Sequence, residues 1–458
     1  MFDEELVAQI KECMNRTGVP GVAVGILHQQ ATNPIEETVG VGYTNYNHPR
    51  PVLSDTLFQI GSITKTMTAT IAMRLVEQGK LDLDTPIRQY LPELRLQDED
   101  AAMHATLHHL FTHTGGWVGD YFEDTGLGDD ALARYVANMA GLPQLTPLGT
   151  LWSYNNAAFS LAGRVIEAVT GQPFEEVAKE LLFTPLGMEM TFFFSGEMMT
   201  HSFAVGHIVK PGEDPSSEIT VATPWPLARS AHPAGGVTST VVDMLRYARL
   251  HLTHGQTPSG EQLLQPQTIA TMHSKQADAD SMASGVGISW MLNEIDGVQL
   301  VSHGGATNGQ IAQLVLVPAQ GFALVILTNA NRGREVTRDL TDWALARYLG
   351  VQRPAPQVRL RTTEELQPYV GYYSAQLSDV EITIASNGLQ LQVIPKGGFP
   401  KKDSPAGPQP PPAPAAFYGD DRVLVTAGPS KESKGDFVRD EEGQIAWFRF
   451  GGRIHRRQ

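Results

Sequence analysis

Ser62 and Lys65 are the residues of this chain whose types and spacing most directly suggest chemistry. They lie three residues apart in FQIGSITKTMT, where an extended run changes to a helical one. A serine hydroxyl is a weak nucleophile at neutral pH and needs a proton acceptor within hydrogen-bond distance. Residues i and i+3 share one face of a helix, so the spacing alone can bring the Lys65 amine beside the Ser62 oxygen. Because S-x-x-K also occurs at ordinary helix N-termini, a catalytic interpretation of the pair needs partners.

Two later motifs carry groups that an acyl-transfer site needs. PLGTLWSYNNAAFSLAG contains Tyr154 and Asn156 in a Y-x-N arrangement before an apolar helical run. VSHGGATNGQIAQLVLVP puts His303 and Gly305 on a predicted strand, where small residues let a substrate backbone approach closely. We therefore expect a phenol, an amide and an imidazole to face the same site as Ser62.

Hydrophobic periodicity predicts the elements that must position these motifs. A first helix is followed by strands in GVAVGILH and IEETVGVGY, and helical segments then dominate to about residue 200. Further on, strands are predicted at 285–292, 298–303, 311–317 and 323–327, with a closing helix at 336–349. This order predicts an α+β fold, in which an antiparallel sheet is flanked by helices and a helical subdomain is inserted.

The three motifs in this order resemble those of the serine β-lactamase and penicillin-binding-protein superfamily. The chain is similar to its class C branch, which also holds family VIII carboxylesterases and D-aminopeptidases. The similarity covers most of residues 1 to 350 and extends to VEQGKLDLDTPIRQYLPEL, LHHLFTHTGG, FTPLGMEMT, HPAGGVTSTVVDMLRYARL and VILTNAN. The resemblance implies that the active site lies between the sheet and the helical subdomain.

The motifs also suggest a role for each side chain. Ser62 would attack a carbonyl carbon and form an acyl-enzyme, while Lys65 and Tyr154 share the proton transfers. A positive Lys65 would lower the pKa of the phenol, and either a phenolate or a neutral lysine could then be the base. Asn156 would support Lys65, and the backbone N–H groups of Ser62 and Ala306 would receive the developing negative charge.

His303 departs from the pattern, since β-lactamases and transpeptidases of the superfamily have a lysine at that place. An imidazole is mostly neutral at pH 7 and attracts a substrate carboxylate far less than an ammonium does. The alternative is that His303 merely packs under its strand. We expect a serine hydrolase that acts on small esters or on short peptides and amides, including ones with D-configured residues. A true β-lactamase and a non-catalytic binding protein are the alternatives.

Other residue clusters favour structural roles. A helical zinc site is conceivable where four histidines lie close together, at His104, His108, His109 and His113. No H-E-x-x-H motif occurs, and the same segment resembles a metal-free helix and turn of the family, so we expect neither a metal nor a cofactor. Trp117 and Trp152 are candidates for the cleft wall, with core packing equally open for Trp152.

Composition bounds the molecule and its partners. The 458 residues suit two domains, and a formal net charge of −15 argues against nucleic acid or an anionic membrane surface as a partner. Cys13, the single cysteine, falls on the apolar side of the first helix. The acidic N-terminus lacks an apolar signal-peptide core and no stretch is long enough to span a membrane, so a cytoplasmic location is expected. The expected partner is a small substrate, and a homo-oligomer is left open.

The composition changes after VQRPAPQVRL, which predicts a linker at 351–363 between a hydrolase domain at 1–350 and a β-rich domain at 364–458. VEITIASNGLQLQVI predicts a hairpin that turns at Asn387 and Gly388, and FVRDE and IAWFRF predict a second one that turns at Gly443. The opening YVGYYSA resembles the small lipocalin-like barrel appended to some family members. We expect this barrel to be filled by its own side chains, with PKKDSPAGPQPPPAPAA as an extended loop. Because every candidate reactive residue precedes the linker, the barrel is expected to modulate access and not chemistry, with a module for oligomerisation or stability as the alternative.

Overall fold

The structure, a computed structural model, describes residues 4–31, 33–210, 218–385, 388–428 and 430–458. In these ranges the α-helices are α1 (Glu4–Thr17), α2 (Thr64–Glu77), α3 (Glu99–His104), α4 (Leu107–Phe111), α5 (Ala131–Asn138), α6 (Asn156–Thr170), α7 (Phe174–Ala178), α8 (Thr184–Leu186), α9 (Ser195–Met198), α10 (His232–Gly235), α11 (Val241–Leu252), α12 (Pro266–Met272), α13 (Gly333–Ala344) and α14 (Thr363–Leu366).

The strands of the first part of the chain are β1 (Gly21–His28), β2 (Ile35–Gly42), β3 (Phe58–Gln59), β4 (His207–Val209), β5 (Ile219–Val221), β6 (Thr238–Ser239), β7 (Gly285–Val286), β8 (Met291–Ile295), β9 (Val298–Thr307), β10 (Gln310–Val317) and β11 (Phe322–Thr328). Seven of them form an antiparallel sheet in the order β2-β1-β11-β10-β9-β8-β7. The predicted α+β fold is confirmed.

Both faces of this sheet are buried, and its side chains alternate between two cores. On β11, Leu324 and Ile326 pack with α1 and α13, whereas Val325 and Leu327 pack with the helical core that contains α2 and α11. This period-two division is what an antiparallel strand with a helical layer on each face requires. Cys13 is buried in α1, as predicted.

Most predicted elements of this part are present, with shifted ends. The stretch at 285–292 forms two strands, because the Gly287 N–H donates to the Trp290 oxygen (2.8 Å) and turns the chain. Strand β9 runs four residues beyond the predicted end at His303, since its pairing with β10 continues to the Thr307 and Gln310 pair. The closing helix begins earlier, at Gly333, and a wider turn continues it from Leu345 to Leu349.

The second part forms a closed antiparallel barrel from β12 (Gly371–Ser374), β13 (Ser378–Ala385), β14 (Gly388–Pro395), β15 (Ala413–Phe417), β16 (Arg422–Val425), β17 (Lys434–Arg439), β18 (Ile445–Phe450) and β19 (Arg453–Arg457). Strand β12 pairs with β19 and so closes the ring. The interior holds the barrel's own side chains, among them Tyr373, Phe417, Phe437 and Phe448. The expectation of a filled barrel is therefore met.

Both predicted hairpins of the barrel are present. In the first, Val380 pairs with Val393 and Ile382 with Leu391, while the predicted turn residue Asn387 lies outside the described residues. In the second, β17 and β18 meet at a turn where Gly443 has a φ of +79°. The proline-rich stretch differs at its end, because 413–416 belong to β15. Within the described ranges, no helix is long and apolar enough to cross a membrane.

Candidate active site

The Ser62 turn and helix α2 form the floor of the candidate site. Ser62 lies in a single 3₁₀ turn, Gly61–Ile63, and Lys65 follows in the first turn of α2. The Lys65 ammonium nitrogen Nζ lies 3.2 Å from Ser62 Oγ, as the i and i+3 spacing predicts. No side chain caps the N-terminus of α2, so the ordinary capping interpretation of Ser62 does not hold. Ser62 is partly exposed, while Lys65 is fully buried.

Two glycines allow strand β9 to lie directly against this turn. Gly61 has a φ of +52°, and a Cβ there would come within 2.6 Å of the Ala306 nitrogen. A Cβ on Gly305 would come within 1.8 Å of the Ile60 oxygen, which no side chain could occupy. The absence of side chains at both positions thus brings the backbone N–H of Ala306 beside the Ser62 turn.

Lys65 is held by three hydrogen-bond acceptors from three parts of the chain. Besides Ser62 Oγ, Nζ donates to Asn156 Oδ1 at 2.7 Å and to the Ala234 carbonyl at 2.6 Å. Burial lowers the pKa of Lys65 well below its usual value, and the nearby positive charge of Arg453 lowers it further, whereas Asp120 acts in the opposite direction. The amine is fixed in position, and its positive charge is disfavoured.

Tyr154 lies across the site from the lysine. Lys65 Nζ is 4.9 Å from the centre of its ring, and the ring stacks on His113 with a centroid distance of 4.4 Å. Burial raises the pKa of Tyr154 to about 12, although a hydrogen bond to Ser62 and the charge of Arg453 lower it. The sequence suggested that Lys65 would lower this pKa, but here desolvation outweighs the neighbouring charges, so the phenol stays protonated at neutral pH.

Asn156 is oriented by a chain of polar groups that reaches the barrel. Its Nδ2 donates to Asp120 Oδ1 at 2.8 Å, while Oδ1 faces Lys65. Asp120 accepts hydrogen bonds from Arg453 of strand β19, with Nε and Nη2 at 2.9 and 3.0 Å. The Arg453 guanidinium also lies 4.8 Å from the centre of the Tyr154 ring. This contact departs from the expectation that all residues at the site precede the linker.

His303 is buried in β9, with 3 % of its surface exposed, and its ring is 6.3 Å from that of Tyr154. Its Nδ1 lies 2.6 Å from the Gly304 carbonyl, and its Nε2 has no hydrogen-bond partner in the described part of the chain. Burial and the charge of Lys65 lower the pKa of His303 to about 4. The imidazole is therefore neutral at pH 7, as the sequence suggested, and it faces the site while packing in the strand.

The two tryptophans proposed for the cleft wall are core residues. Trp117 and Trp152 are each only 2 % exposed. Trp152 packs with Ala279, Ala283 and Val286 beneath the Tyr154 segment. Core packing, which the sequence left open for Trp152, applies to both.

The four clustered histidines have different partners in the structure, although the rings of His108 and His109 remain neighbours at 6.3 Å. His104 is exposed and His108 approaches Gln276, while His109 accepts a hydrogen bond from the Thr106 N–H at the start of α4. His113 accepts one from the Asn155 N–H at 3.0 Å and has a φ of +59°. Across the described ranges, no group of three or more histidine, cysteine, aspartate or glutamate side chains is arranged to hold a metal.

Four contributors to the site were missed by sequence reasoning, namely His113, Asp120, Ala234 and Arg453. His113 and Ala234 fall in LHHLFTHTGG and HPAGGVTSTVVDMLRYARL, two segments already noted for their similarity to the family. Asp120 follows the first of these by four residues, so a closer look at the charges after it could have found it. Arg453 offered no local signal, because its partners lie more than 290 residues earlier in the chain.

Comparison with known proteins agrees with this architecture. The β-lactamase family model matches residues 6–348. Penicillin-binding protein 4 of Amycolatopsis lactamdurans is 34 % identical over 371 residues, which are 78 % of this chain and 94 % of that protein. Esterase EstB of Burkholderia gladioli is 35 % identical over 162 residues, covering 32 % of this chain and 41 % of its own length.

Two solved structures show the same fold. SurE bound to D-Leu superimposes with a TM-score of 0.74 at 24 % identity and covers 99 % of both chains, which includes the barrel. A class C β-lactamase from Rhodobacter sphaeroides gives a TM-score of 0.60 at 24 % identity, covering 75 % of this chain and all of its own. The family match over three quarters of the sequence and the extended identity to a penicillin-binding protein establish that this chain belongs to the β-lactamase family.

Proposed function

We propose that the protein is a serine hydrolase that forms an acyl-enzyme on Ser62 with small esters or with short peptides and amides, including D-configured ones. The observation that carries this proposal is the contact of 3.2 Å between Ser62 Oγ and a buried Lys65 whose positive charge is disfavoured. An amine that is neutral for part of the time can accept the proton that a serine must lose on attack.

Lys65 is the better candidate for the base. Burial lowers the pKa of Lys65 well below its usual value, whereas it raises that of Tyr154 to about 12. In the proposed reaction Lys65 takes the Ser62 proton as Oγ bonds to the carbonyl carbon. The N–H groups of Ser62 and Ala306 receive the oxyanion, each such donor lowering the barrier by about 3 kcal/mol. The proton then passes to the leaving group, through Lys65 or the Tyr154 hydroxyl, and water hydrolyses the acyl-enzyme.

A preference for neutral substrates is supported by His303. A buried imidazole with a pKa of about 4 carries no charge at pH 7, so it does not replace the cation that would attract a carboxylate. The partial similarity to an esterase and the extended similarity to a penicillin-binding protein fit ester and amide chemistry, respectively.

β-Lactam hydrolysis is the second candidate, and Arg334 favours it. This exposed residue lies in the first turn of α13, and its positive charge reaches the Tyr154 hydroxyl, whose pKa it lowers. The structure gives its guanidinium no ion pair among the described residues. An anionic substrate could therefore pair with Arg334 even though His303 is neutral.

Labelling and a substrate panel test the proposal together. Wild-type protein should be labelled by a fluorophosphonate at Ser62, and it should hydrolyse p-nitrophenyl esters or D- and L-aminoacyl anilides faster than nitrocefin. Ser62→Ala should abolish labelling and turnover, because it deletes only the attacking oxygen, while Ser202→Ala, at an exposed serine, should behave as wild type. Failure of the wild type to be labelled or to turn over any substrate would reject the hydrolase proposal. Nitrocefin turnover equal to that of the best ester would favour the second candidate.

Two further predictions from the sequence are kept as proposals. A homo-oligomer and a cytoplasmic location are each compatible with a small-molecule hydrolase, and neither alters the chemistry above. Light scattering on the purified protein would measure the first, and fractionation of the source cells would measure the second.

A further inference from the structure

The hairpin formed by β18 and β19 carries the barrel's contact with the site. At its turn, the Gly452 carbonyl accepts a hydrogen bond from the Tyr154 N–H at 2.8 Å, and Gly452 has a φ of +81° that favours glycine. The Ile454 N–H lies 3.4 Å from Ser153 Oγ. The backbone around Tyr154 is thus held from one side by the barrel.

A fully buried arginine fixes this hairpin in place. Arg449 of β18 donates from Nε to the Trp152 carbonyl at 3.0 Å. Its Nη1 contacts Asp436 of the barrel at 2.7 Å and Asp280 of the hydrolase part at 2.5 Å. A buried cation that is paired with a carboxylate on each side of an interface defines one docking geometry, because any shift would leave a charge unpaired.

Arg453 is the first residue of β19, and this docking brings it to the chemistry. It reaches Ser62 through a continuous series of polar contacts in which each link measures 2.7 to 3.2 Å, in the order Arg453, Asp120, Asn156, Lys65, Ser62. A carboxylate only accepts hydrogen bonds, so Asp120 requires the Asn156 amide to turn its NH₂ group toward it. The amide oxygen must then face Lys65, and the paired hydrogen bonds from Arg453 hold the Asp120 carboxylate in the place that imposes this orientation.

Arg453 and Asp120 have opposite effects on the pKa of Lys65. The titratable and charged groups that face Lys65 and Tyr154 are Asp120, Arg453, Arg334, His113 and His303. Of these, His113 and His303 are buried and neutral at pH 7, because burial lowers the pKa of each. Arg453 disfavours protonated Lys65, and Asp120 favours it.

We propose that Arg453 is a positioning residue of the proton relay, so that the barrel completes the active site and does not only cover it. This inference rests on the proposed function. Arg453 acts through Asp120 and Asn156 on the place of the Lys65 amine, and through its charge on the ease with which that amine gives up its proton. A purely structural Arg453 would hold the barrel in place without any effect on proton transfer.

Full-length Arg453→Met, Arg453→Lys and Asp120→Asn distinguish these roles, with Arg456→Met as the matched control on the same strand, where Arg456 is exposed. The measurement is the pH profile of acylation with a p-nitrophenyl ester, together with the melting temperature. Arg453→Met should slow acylation at pH 7 by about 10²-fold, the scale expected when a reacting group is misplaced. Loss of a positive charge also raises the pKa of Lys65. The acidic limb of the pH profile, where acylation slows as Lys65 becomes protonated, should therefore move up by about one pH unit.

Asp120→Asn should move the same limb in the opposite direction, because loss of a negative charge lowers the pKa of Lys65. Arg453→Lys keeps the charge and should leave the limb near its wild-type position while restoring part of the rate. Arg456→Met should change neither quantity. Opposite shifts in two variants cannot come from a common loss of folding.

The inference is overturned if Arg453→Met keeps the wild-type acylation rate and the wild-type position of the acidic limb. It is also overturned if Arg453→Met and Asp120→Asn lose activity equally at every pH while the acidic limb does not move. Those outcomes differ from failure of the proposed function, in which the wild type itself is not labelled at Ser62. If Arg453→Met does not fold, the positions of the acidic limb in Arg453→Lys and Asp120→Asn test the inference instead. Absence of the predicted shift in Asp120→Asn would reject the positioning role of Arg453.

Discussion

The floor of the site contains Lys65, and the barrel hairpin is linked to this lysine through Asp120 and Asn156, but the two regions are built in different ways. Ser62 and Lys65 lie one helical turn apart, so a short stretch of sequence is enough to bring their reactive atoms together. Arg453 reaches the site, and Arg449 fixes its hairpin there, only because an eight-stranded barrel closes and docks. The comparison teaches that the proposed nucleophile and its proposed base are encoded locally, whereas the charges that shift the pKa of Lys65 come from distant parts of the chain.

Substitutions of Lys65 and Tyr154, next to Ser62, should have the largest effect on the rate of acylation. Lys65→Met and Tyr154→Phe should each slow acylation by about 10²- to 10⁴-fold, because each removes one group of a shared proton relay. The double variant should lose less than the product of the two, since groups that act as a unit are not additive. A burst measurement with a p-nitrophenyl ester gives the rates, and Lys80→Met, at an exposed lysine just beyond α2, is the control. Multiplicative losses would mean that the two side chains act independently.

Substitutions in the barrel hairpin should act first on the free energy of unfolding. Arg449→Met should lower the free energy of unfolding by about 3 to 5 kcal/mol at pH 7, because it leaves the buried Asp436 without its cation. Burial already raises the pKa of Asp436, and loss of Arg449 would raise it more. The destabilisation should therefore shrink as the pH falls toward 4 and Asp436 takes up a proton.

Urea unfolding at several pH values measures this effect, with Arg456→Met as a surface control of equal size. An Arg449→Met protein as stable as wild type at pH 7 would show that the interface does not depend on this cation.

The sequence predicted more of the fold than of the site's electrostatics. Alternating residues such as Val380 and Ile382 indicated the first barrel hairpin, because a half-buried strand must alternate. Element ends were less certain, as in β9, since the pairing partner β10 and not the strand's own sequence decides how far it runs. Nothing in the sequence indicated that Gly61 lies against Ala306 or Gly305 against Ile60, which only the packing of the strand on the turn shows.

Within the site, Ser62, Lys65, Tyr154 and Asn156 were predicted by type and spacing, and the structure brings them together. The pKa of Tyr154 was predicted in the wrong direction, because desolvation depends on packing that a sequence does not reveal. Arg453 was missed for a related reason. Its ion pair with Asp120 spans the two parts of the molecule, and no short motif records it.

Changing the charge at His303 on β9 should have a smaller effect, which concerns the choice of substrate. His303→Lys adds a cation beside Lys65, and it should raise the ratio of nitrocefin to ester turnover roughly tenfold, about the worth of one charge-assisted hydrogen bond. His303→Gln, which stays neutral, is the control and should leave the ratio near that of wild type. Equal ratios for the two variants would show that charge at this position does not select the substrate.

The smallest effect is expected at the proline-rich loop. Lys401 pairs with Asp124 at 3.2 Å and Lys402 with Glu123 at 3.1 Å, just after Asp120 in the chain. Such solvent-facing pairs contribute about 1 kcal/mol or less each. The double change Lys401→Glu and Lys402→Glu should leave small-ester rates unaltered and raise those of longer acyl or peptide substrates a few-fold.

Lys431→Glu, at an exposed lysine elsewhere on the barrel, controls for the effect of a Lys→Glu charge reversal away from the loop. High salt should bring wild type closer to the double variant, because it screens exposed pairs. Unchanged selectivity for substrate length would mean that this loop does not limit access.

The closure of the barrel by β12 and β19 has a consequence for the order of events during synthesis. Domains fold as units, the N-terminal one first as the chain emerges. The Ser62 turn, α2 and the seven-stranded sheet can therefore form while the residues of β19 have yet to be translated. Arg453 can join Asp120 only after β19 has been synthesised, so the Ser62 turn is present before the proposed relay is complete. In the proposed mechanism, Ser62 therefore gains its complete relay only once the last strand of the barrel is in place.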